Sequence, residues 1–504
     1  MIKKNIHIFI VFLLIILIYF YRIGNIPNGL FADEAEIGYK AYQLIHGDSS
    51  FFVTPFFYHH FNYVLGALPI YATSPFVAIF GLSEFSVRLS SVVYSILTLI
   101  IIYLIFRKLK ITYIWQSILL ISFTPIYFHI SRINFGHIPS ILLLFLGYLL
   151  FIHLVEKPSL TLIITTALAI AFSSYGHGVF MISSPMFMTL ISFWYLLKYR
   201  HDGNKIKAIL LTLIIFIFGF LPIVISYFTN TDFRTRINEK KNNRQEIIYK
   251  NILSIITNYP KYYSIDYFFT KGEIDMPRGF VKRHSVHGNG ILLSVTALLF
   301  VGVFIYIIKD KKRLYGPLPI FLLIFLLYPI SDIFFTDINK PPYTFAVFGS
   351  LVLSLPFLIG YGFEGLINKK QKIILYLINF IIILQMILFL RNYYNYPLYS
   401  SDYWGWQYGP KVIINYFKIQ SKNYNELYMT GNFNAPEIFL QFYDPKRECK
   451  NCFIGSIDNY NSSKKQLFAL RVEEFKHVKL NYKLKNIIYY PNGKKAFYII
   501  EPSS

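Results

Sequence analysis

Apolar residues run along this chain in long blocks, not in the short alternation of a soluble domain. Blocks long enough to cross a bilayer, roughly 17–25 residues, fall near 6–22, 87–106, 113–130, 139–155, 159–175, 179–197, 208–228, 290–308, 315–331, 344–365 and 373–391. A further block, 63–80, contains Pro69 and Pro75, which oppose a continuous helix. Charge arbitrates its role. If 63–80 does not span, Arg107/Lys108/Lys110, Lys198/Arg200/Lys205/Lys207, Lys309/Lys311/Lys312/Arg313 and Lys369/Lys370/Lys372 all fall on the cytoplasmic side, where Lys and Arg concentrate. If it spans, all four clusters fall outside. The pattern therefore predicts eleven spans, with the N-terminus inside, the C-terminus outside and 63–80 as juxtamembrane helices on the outer surface. No small-residue cleavage site follows the first block, which continues into Arg22-Ile23-Gly24-Asn25, so it reads as an uncleaved first span.

Between the spans, polar residues gather on the outer side: loop one (23–86), a turn at 131–137, a long loop at 229–289, a short one at 332–343 and the tail 392–504. In the tail, Glu426-Leu427-Tyr428-Met429 and Ile487-Ile488-Tyr489-Tyr490 read as strands. Pro491-Asn492-Gly493 followed by Ala496 to Ile500 is a hairpin signal. The expected architecture is a polytopic α-helical membrane domain over 1–391 and a small extracytoplasmic α/β domain over 392–504.

Composition agrees. Of 504 residues 55% are hydrophobic, 19% aromatic and only 15% charged, against about 25% charged in soluble domains. This excludes disordered, collagen-like and ordinary cytosolic chains. The net charge of +23 is assigned to topology and to the headgroups of the lipid bilayer, not to nucleic acid. Cys449 and Cys452 are too few for a disulfide framework and read as a local disulfide or two thiols.

Candidate chemistry starts just after the first span, at Phe31-Ala32-Asp33-Glu34-Ala35-Glu36. A short amphipathic helix is expected to begin near Asp33, which suits the positive end of its dipole. Asp33 is then either a capping acid or a general base acting on an acceptor hydroxyl or amine. Next comes Gly81-Leu82-Ser83-Glu84, then Arg88 at the start of a span. Arg88 either snorkels to headgroups or holds loop one through Asp33, Glu34 or Glu84. Ser131-Arg132-Ile133-Asn134-Phe135-Gly136-His137 is a polar island on the outer side, and Ser174-Tyr175-Gly176-His177 another. The long loop carries Arg234, Arg236, Lys240, Lys241 and Arg244, then Arg278, Lys282, Arg283 and His284. Outer loops are usually poor in such residues, so an anionic ligand such as a lipid-linked phosphate is one reading and headgroup binding the other. Lys340, beside Pro341-Pro342, is a second candidate phosphate contact. His284 and His287 do not by themselves make a metal site.

Taken in order, the acidic pair in Leu30-Phe31-Ala32-Asp33-Glu34-Ala35, the Gly81-Leu82-Ser83-Glu84 and Arg88-Leu89 that follow, Pro125 with Ser131-Arg132, Arg278 with Gly288-Asn289-Gly290, and Tyr396-Pro397, Trp406, Gly409 and Phe442-Tyr443-Asp444-Pro445 in the tail resemble the membrane glycosyltransferases of the C-type superfamily. The likeness is greatest to bacterial dolichyl-phosphate-mannose–protein mannosyltransferase-like enzymes, a group that includes aminoarabinose transferases and lipopolysaccharide-core galacturonosyltransferases. The resemblance implies a polyprenyl-phosphate-linked sugar as donor and an inverting transfer at the outer face of the cytoplasmic membrane. It makes Asp33 the essential acid and Glu34 its neighbour in the catalytic pair. Arg278, Lys282, Arg283 and Lys340 become candidate phosphate contacts. Glu84, Arg88, Arg132, His137 and Tyr175 become loop-positioning or substrate-binding residues. The acceptor is a glycolipid, a protein or a cell-wall polymer. Two positions depart from relatives: His137 stands where many carry an acid, and Tyr58-His59-His60-Phe61 replaces a Lys-Pro-rich stretch.

A polyprenyl phosphate is already a good leaving group. One base and a cationic cradle therefore suffice, and no cofactor or metal is called for. A divalent cation would enter with the alternative of a carrier-lipid glycan ligase or oligosaccharyltransferase, which typically has a larger soluble domain. A lipid-linked sugar flippase or transporter would show repeated halves and mid-span acids, and the sequence shows neither.

Overall fold

The computed structural model describes residues 2–61, 63–234, 255–279, 281–309, 315–333, 340–367, 372–395 and 405–503. Arg236, Lys240, Lys241, Arg244, Lys311, Lys312, Arg313, Lys369, Lys370, Tyr396 and Pro397 lie outside the described residues.

The apolar blocks form helices α1 (Ile2–Phe20), α4 (Glu84–Lys108), α5 (Ile114–Phe123), α6 (Pro125–Ser131), α7 (His137–Glu156), α8 (Leu160–Ser173), α9 (Phe180–Lys198), α10 (Gly203–Thr229), α11 (Val295–Lys309), α12 (Leu318–Leu327), α13 (Thr344–Leu366) and α14 (Lys372–Asn395). Loop one contributes α2 (Ala32–Ile45) and α3 (Leu68–Phe80). Among the described residues α4, α7, α9, α10, α13 and α14 are each long and apolar enough to cross a membrane, and the bent pair α5–α6 is a broken span or a re-entrant loop. The remaining predicted blocks are occupied by shorter apolar helices. The chain is thus a multi-pass helical membrane protein.

Helix α13 is buried along its whole length. It crosses α11 with backbones in contact, because both present glycine there. A Cβ on Gly365 would stand 1.8 Å from the carbonyl oxygen of Gly302, and one on Gly302 would stand 2.2 Å from that of Gly362. In a bilayer such small-residue seams replace the hydrophobic effect with close dispersion packing.

Two expectations are corrected. Block 113–130 is not one straight span but two helices meeting at 66°. Pro125 lacks the N–H that would continue the ladder of α5, and it drives Thr124 into an extended conformation (φ −60°, ψ 126°). The whole of α6 is buried, and the Ile126 N–H donates to the carbonyl of Ile291 at 3.0 Å. Block 63–80 is not a pair of helices either. Tyr63–Gly66 is strand β3 of a three-stranded antiparallel sheet with β1 (Phe52–Thr54) and β2 (Phe57–His60), and only Leu68–Phe80 is helical. Pro69 sits in the first turn of α3 and Pro75 in its interior. The sheet rests on the bundle through Phe57, Val64, Tyr175, Ile223 and Phe233. Gly66 permits this approach, since a Cβ there would lie 2.1 Å from the carbonyl of Tyr175.

The C-terminal domain is α/β, as the sequence predicts. Its sheet has the order β5 (Cys452–Ile454), β4 (Glu426–Met429), β6 (Gln466–Arg471), β8 (Lys495–Ser503), β7 (Asn481–Tyr489). Strand β4 is parallel to both neighbours, and β6, β8 and β7 pair antiparallel. The predicted hairpin pairs Ile488 with Phe497 and turns through Gly493 at φ 82°. Helices α15 (Pro410–Gln420) and α16 (Glu437–Tyr443) join the sheet to the bundle, and Cys449 and Cys452 are disulfide-bonded. The domain packs on the loop-one face of the bundle, where Glu84 accepts hydrogen bonds from Lys411 Nζ at 3.0 Å and Tyr443 Oη at 3.1 Å.

Gly365→Val should force α11 and α13 apart. We expect the folded, monodisperse fraction recovered in detergent to fall severely, whereas Gly47→Ala, at a position where a Cβ meets nothing within 4 Å, should leave it nearly unchanged.

Candidate active site

The turn between α1 and α2 buries Ile23, Ile26, Leu30 and Phe31 in the core. It is held as well by its own backbone carbonyls, which converge on two buried arginines. Arg132, at the end of α6, donates to the carbonyls of Tyr19 (2.6 Å), Tyr21 (2.8 Å), Ile18 (3.1 Å) and Ile26 (3.3 Å). Several of these acceptors sit at or just beyond the C-terminus of α1, where a cation is favoured. Arg88, one turn into α4, donates to the carbonyls of Gly29 (2.6 Å), Pro27 (2.7 Å) and Ile23 (3.4 Å). Its remaining edge grips Glu34 through two bonds, Nε to Oε1 at 3.0 Å and Nη2 to Oε2 at 3.1 Å. Both side chains of that pair are 0% exposed. Of the partners open to Arg88 in the sequence, the structure selects Glu34. Glu84 instead ties down the C-terminal domain.

Glu34 also accepts the Asn134 N–H at 3.0 Å and the Phe31 N–H at 3.4 Å. The second contact caps α2, so the capping acid is Glu34 and not Asp33. The Asn134 side-chain amide then donates to Thr73 Oγ1, the Val87 carbonyl and Ser90 Oγ at 2.9–3.1 Å. Loop one, α3, α4 and the α6–α7 turn are thereby locked together. Trp406, from the lead into the C-terminal domain, lies 5.4 Å from the Arg88 guanidinium and closes the outside of the clamp.

Asp33 is held by this frame without being used in it. It sits in the first turn of α2, half-buried, and makes no hydrogen bond or ion pair among the described residues. Arg283 packs its guanidinium 3.6 Å from the centre of the Phe31 ring, two residues before Asp33. The next residue, His284, is close enough for the charge of Asp33 to act on it. Phe31, Phe135, Phe345 and Trp406 form an aromatic wall with ring spacings of 5.0–6.1 Å. His137 stacks on His177 at 3.9 Å and packs against Phe345 behind that wall.

Behind His284 stands Glu273, which the sequence reading passed over. Its Oε1 shares a hydrogen bond with His284 Nδ1 at 2.7 Å, and its Oε2 accepts the Thr344 N–H at 2.7 Å. Burial pushes Glu273 up to about 8 and holds His284 well below the usual imidazole range. The readable signal was one of several acids in a cationic loop, eleven residues before a histidine, with no way to tell that both are buried. His129, also not singled out, meets the Arg283 carbonyl through Nε2 at 2.7 Å and so anchors the same segment.

Of the predicted phosphate contacts, the structure places Arg283 against the Phe31 ring, two residues before Asp33. It leaves Arg278 and Lys340 exposed and Lys282 half-buried. Tyr175 lies elsewhere, donating to the Gly219 carbonyl at 2.7 Å beneath the loop-one sheet. The two histidines weighed as metal ligands take separate acids, His284 with Glu273 and His287 with Asp275. Among the described residues no group of three or more His, Cys, Asp or Glu could hold a metal.

Residues 67–225 match the family model described as dolichyl-phosphate-mannose-protein mannosyltransferase. That segment contains Arg88, Arg132, His137 and Tyr175, while Asp33 and Glu34 precede it. No curated protein matches the chain by sequence. Among solved structures, ArnT from Cupriavidus metallidurans bound to undecaprenyl phosphate is similar over 99% of this chain and 98% of its own, at 10% identity and TM-score 0.53. The Archaeoglobus fulgidus oligosaccharyltransferase in complex with zinc and sulfate is similar over 97% of this chain and 72% of its own, at 11% identity and TM-score 0.49. At such identities the likeness is one of fold.

Arg88→Met should leave Glu34 ionised and uncompensated in the protein interior, at a cost of about 3–5 kcal/mol. Thermal unfolding in detergent should show the loss. Adding Glu34→Gln to Arg88→Met should cost less than the two single changes summed. Glu273 gives a pH dependence. Its folded pKa lies above the ordinary carboxylic value, so its contribution is intact at low pH and lost as pH rises through about 8. The wild-type Tm should fall as pH rises from about 5 to about 8 and level off above that, and Glu273→Gln should flatten that limb.

Proposed function

We propose that this membrane glycosyltransferase of the C-type superfamily takes a sugar from a polyprenyl-phosphate donor and passes it, with inversion, to an acceptor at the outer face of the cytoplasmic membrane. The observation that carries the reading is Asp33: a carboxylate fixed by the Arg88–Glu34 clamp, without a hydrogen bond or ion pair among the described residues, beside a buried arginine. Such a group has no structural task and is placed to take a proton.

In the proposed step an acceptor hydroxyl attacks the anomeric carbon from the side opposite the phosphate. Its proton goes to Asp33 and its oxygen forms the new glycosidic bond. The bond from the anomeric carbon to the phosphate oxygen breaks, and its electron pair leaves on the polyprenyl phosphate. Arg283 offsets the charge that develops there, held in place before reaction by Phe31 and by the His129 contact to its carbonyl. Glu34 acts through Arg88 and positions the turn, without touching the reacting atoms. Arg278, Lys282 and Lys340 would add positive field along the approach of the lipid phosphate. No cofactor enters this step.

The donor class is supported by the relative that binds undecaprenyl phosphate. Orientation is supported by charge. Helix α4 spans 25 residues, about 37 Å, with Arg88 in its first turns and Arg107 and Lys108 at its other end. Lys198 ends α9, Arg200 follows it, and Lys205 and Lys207 lie in the first turns of α10, all at the end of α9 away from His177. The acceptor is a glycolipid, a protein or a cell-wall polymer.

Purified protein assayed with a panel of polyprenyl-phosphate monosaccharides should turn over one donor. Asp33→Asn should lower that rate by about 10²–10⁴-fold with little change in Tm, because Asp33 holds nothing in the fold. Full turnover in the variant would remove Asp33 as the base.

A further inference from the structure

The page of α2 that continues beyond Asp33 is occupied by groups the transfer step does not use. Glu36, one turn on, pairs with Lys40 Nζ at 3.1 Å and with His60 Nδ1, and Lys40 also donates to the carbonyl of His59. All three side chains are buried, and burial lowers the Lys40 pKa. Beside them opens a cavity of about 410 Å³ between α2, the β2–β3 turn and helix α16 of the C-terminal domain. Tyr39, Glu437, Gln441 and Arg447 also line a second cavity of about 570 Å³, which runs on to Lys446, Lys450 and the Cys449–Cys452 disulfide. The two form one cleft, and each falls within the roughly 300–1,000 Å³ of small-molecule sites.

Backbone strain marks the same place. Among the described residues six non-glycines have positive φ, and three of them, Phe61 (45°), Ala435 (47°) and Arg447 (53°), line the smaller cavity. Such conformations cost energy and gather at ligand clamps. Here they present an exposed aromatic ring and an exposed guanidinium across one gap. The negative charges nearby are largely spent. Glu36 is held by Lys40 and His60, and Asp444 by Lys418 at 3.6 Å and by the Glu448 and Cys449 N–H groups. The lip therefore presents Lys446, Arg447 and Lys450 against Glu437.

We propose that this cleft binds the acceptor, and that the acceptor is an anionic saccharide. Phe61 and Tyr39 offer faces for a sugar ring, Gln43, Gln441 and His59 bond its hydroxyls, and Arg447 with Lys446 and Lys450 takes its carboxylate or phosphate. Geometry connects the cleft to the chemistry. Asp33 and Glu36 share a face of α2 at i, i+3, and Tyr39 lies about 9 Å further along the axis. That rise is about the length of two sugar residues, so an acceptor chain seated against Tyr39 and Phe61 need extend only that far to reach Asp33. The assignment rests on the transferase reading above, but binding can be read without turnover.

Full-length protein in detergent is titrated with tetragalacturonate, with mannose 6-phosphate and with neutral maltotetraose, for wild type, Arg447→Ala, Phe61→Ala and Asp33→Asn. At least one anionic probe should bind tenfold or more tighter than maltotetraose. Arg447→Ala and Phe61→Ala should each weaken it by about tenfold. Asp33→Asn should leave it within about twofold, which separates this assignment from that of the base. Response to one anionic probe alone identifies the carboxylate or the phosphate as the recognised group. Both cleft residues are exposed, so unchanged unfolding temperatures are expected. Equal affinity for neutral and anionic probes, unaltered affinity in both cleft variants, loss of affinity in Asp33→Asn, or no binding of any probe would overturn the proposal.

Discussion

A guanidinium in an apolar interior needs acceptors for its N–H groups, and a turn of backbone packed against it needs donors for its carbonyls. This protein sets the two demands against each other. Arg88 and Arg132 together take seven carbonyls of the segment between Ile18 and Gly29, and Arg88 adds the carboxylate of Glu34. The position of α2, and so of Asp33, follows from that exchange. So does the seat of the C-terminal domain, whose Trp406 lies over Arg88 and whose Lys411 and Tyr443 reach Glu84 one turn earlier on α4.

The arrangement divides labour between neighbouring acids. Glu34 is fully buried and saturated with donors, so it serves geometry. Asp33 is half-buried and makes no hydrogen bond or ion pair among the described residues, as the proposed base requires. Further along α2, Glu36 is committed to Lys40 and His60 while Tyr39 lines the cleft.

Much of this was legible in the chain. Hydropathy in a bilayer is a local property, so the spans emerged near their observed ends, as 139–155 against His137–Glu156 and 344–365 against Thr344–Leu366. The tail hairpin emerged because Pro491-Asn492-Gly493 sits between two β-branched and aromatic runs. The bend at Pro125 was missed because the apolar run continues through the proline unbroken. The loop-one sheet was missed because Tyr63–Gly66 is as apolar as the helix after it, and only pairing with Phe57–His60 separates the two. Within the site, Asp33 and Arg88 were visible as polar residues at span edges. Which acid Arg88 would choose was not, because that choice joins residues 54 apart in sequence. Glu273 was invisible for the same reason: its significance lies in burial against His284 and Thr344.

Trp406 has a consequence in time. Arg88 and Glu34 leave the ribosome more than three hundred residues before it, which at about 5–20 residues per second is on the order of tens of seconds. Through that interval the guanidinium lacks its aromatic cover and Glu84 lacks Lys411 and Tyr443. The turn that carries Asp33 thus gains its final surroundings only once Tyr443 has been made. A chain cut before Trp406 would carry every predicted span and still lack that cover. Synthesis of this later segment is in this sense a maturation step for the site.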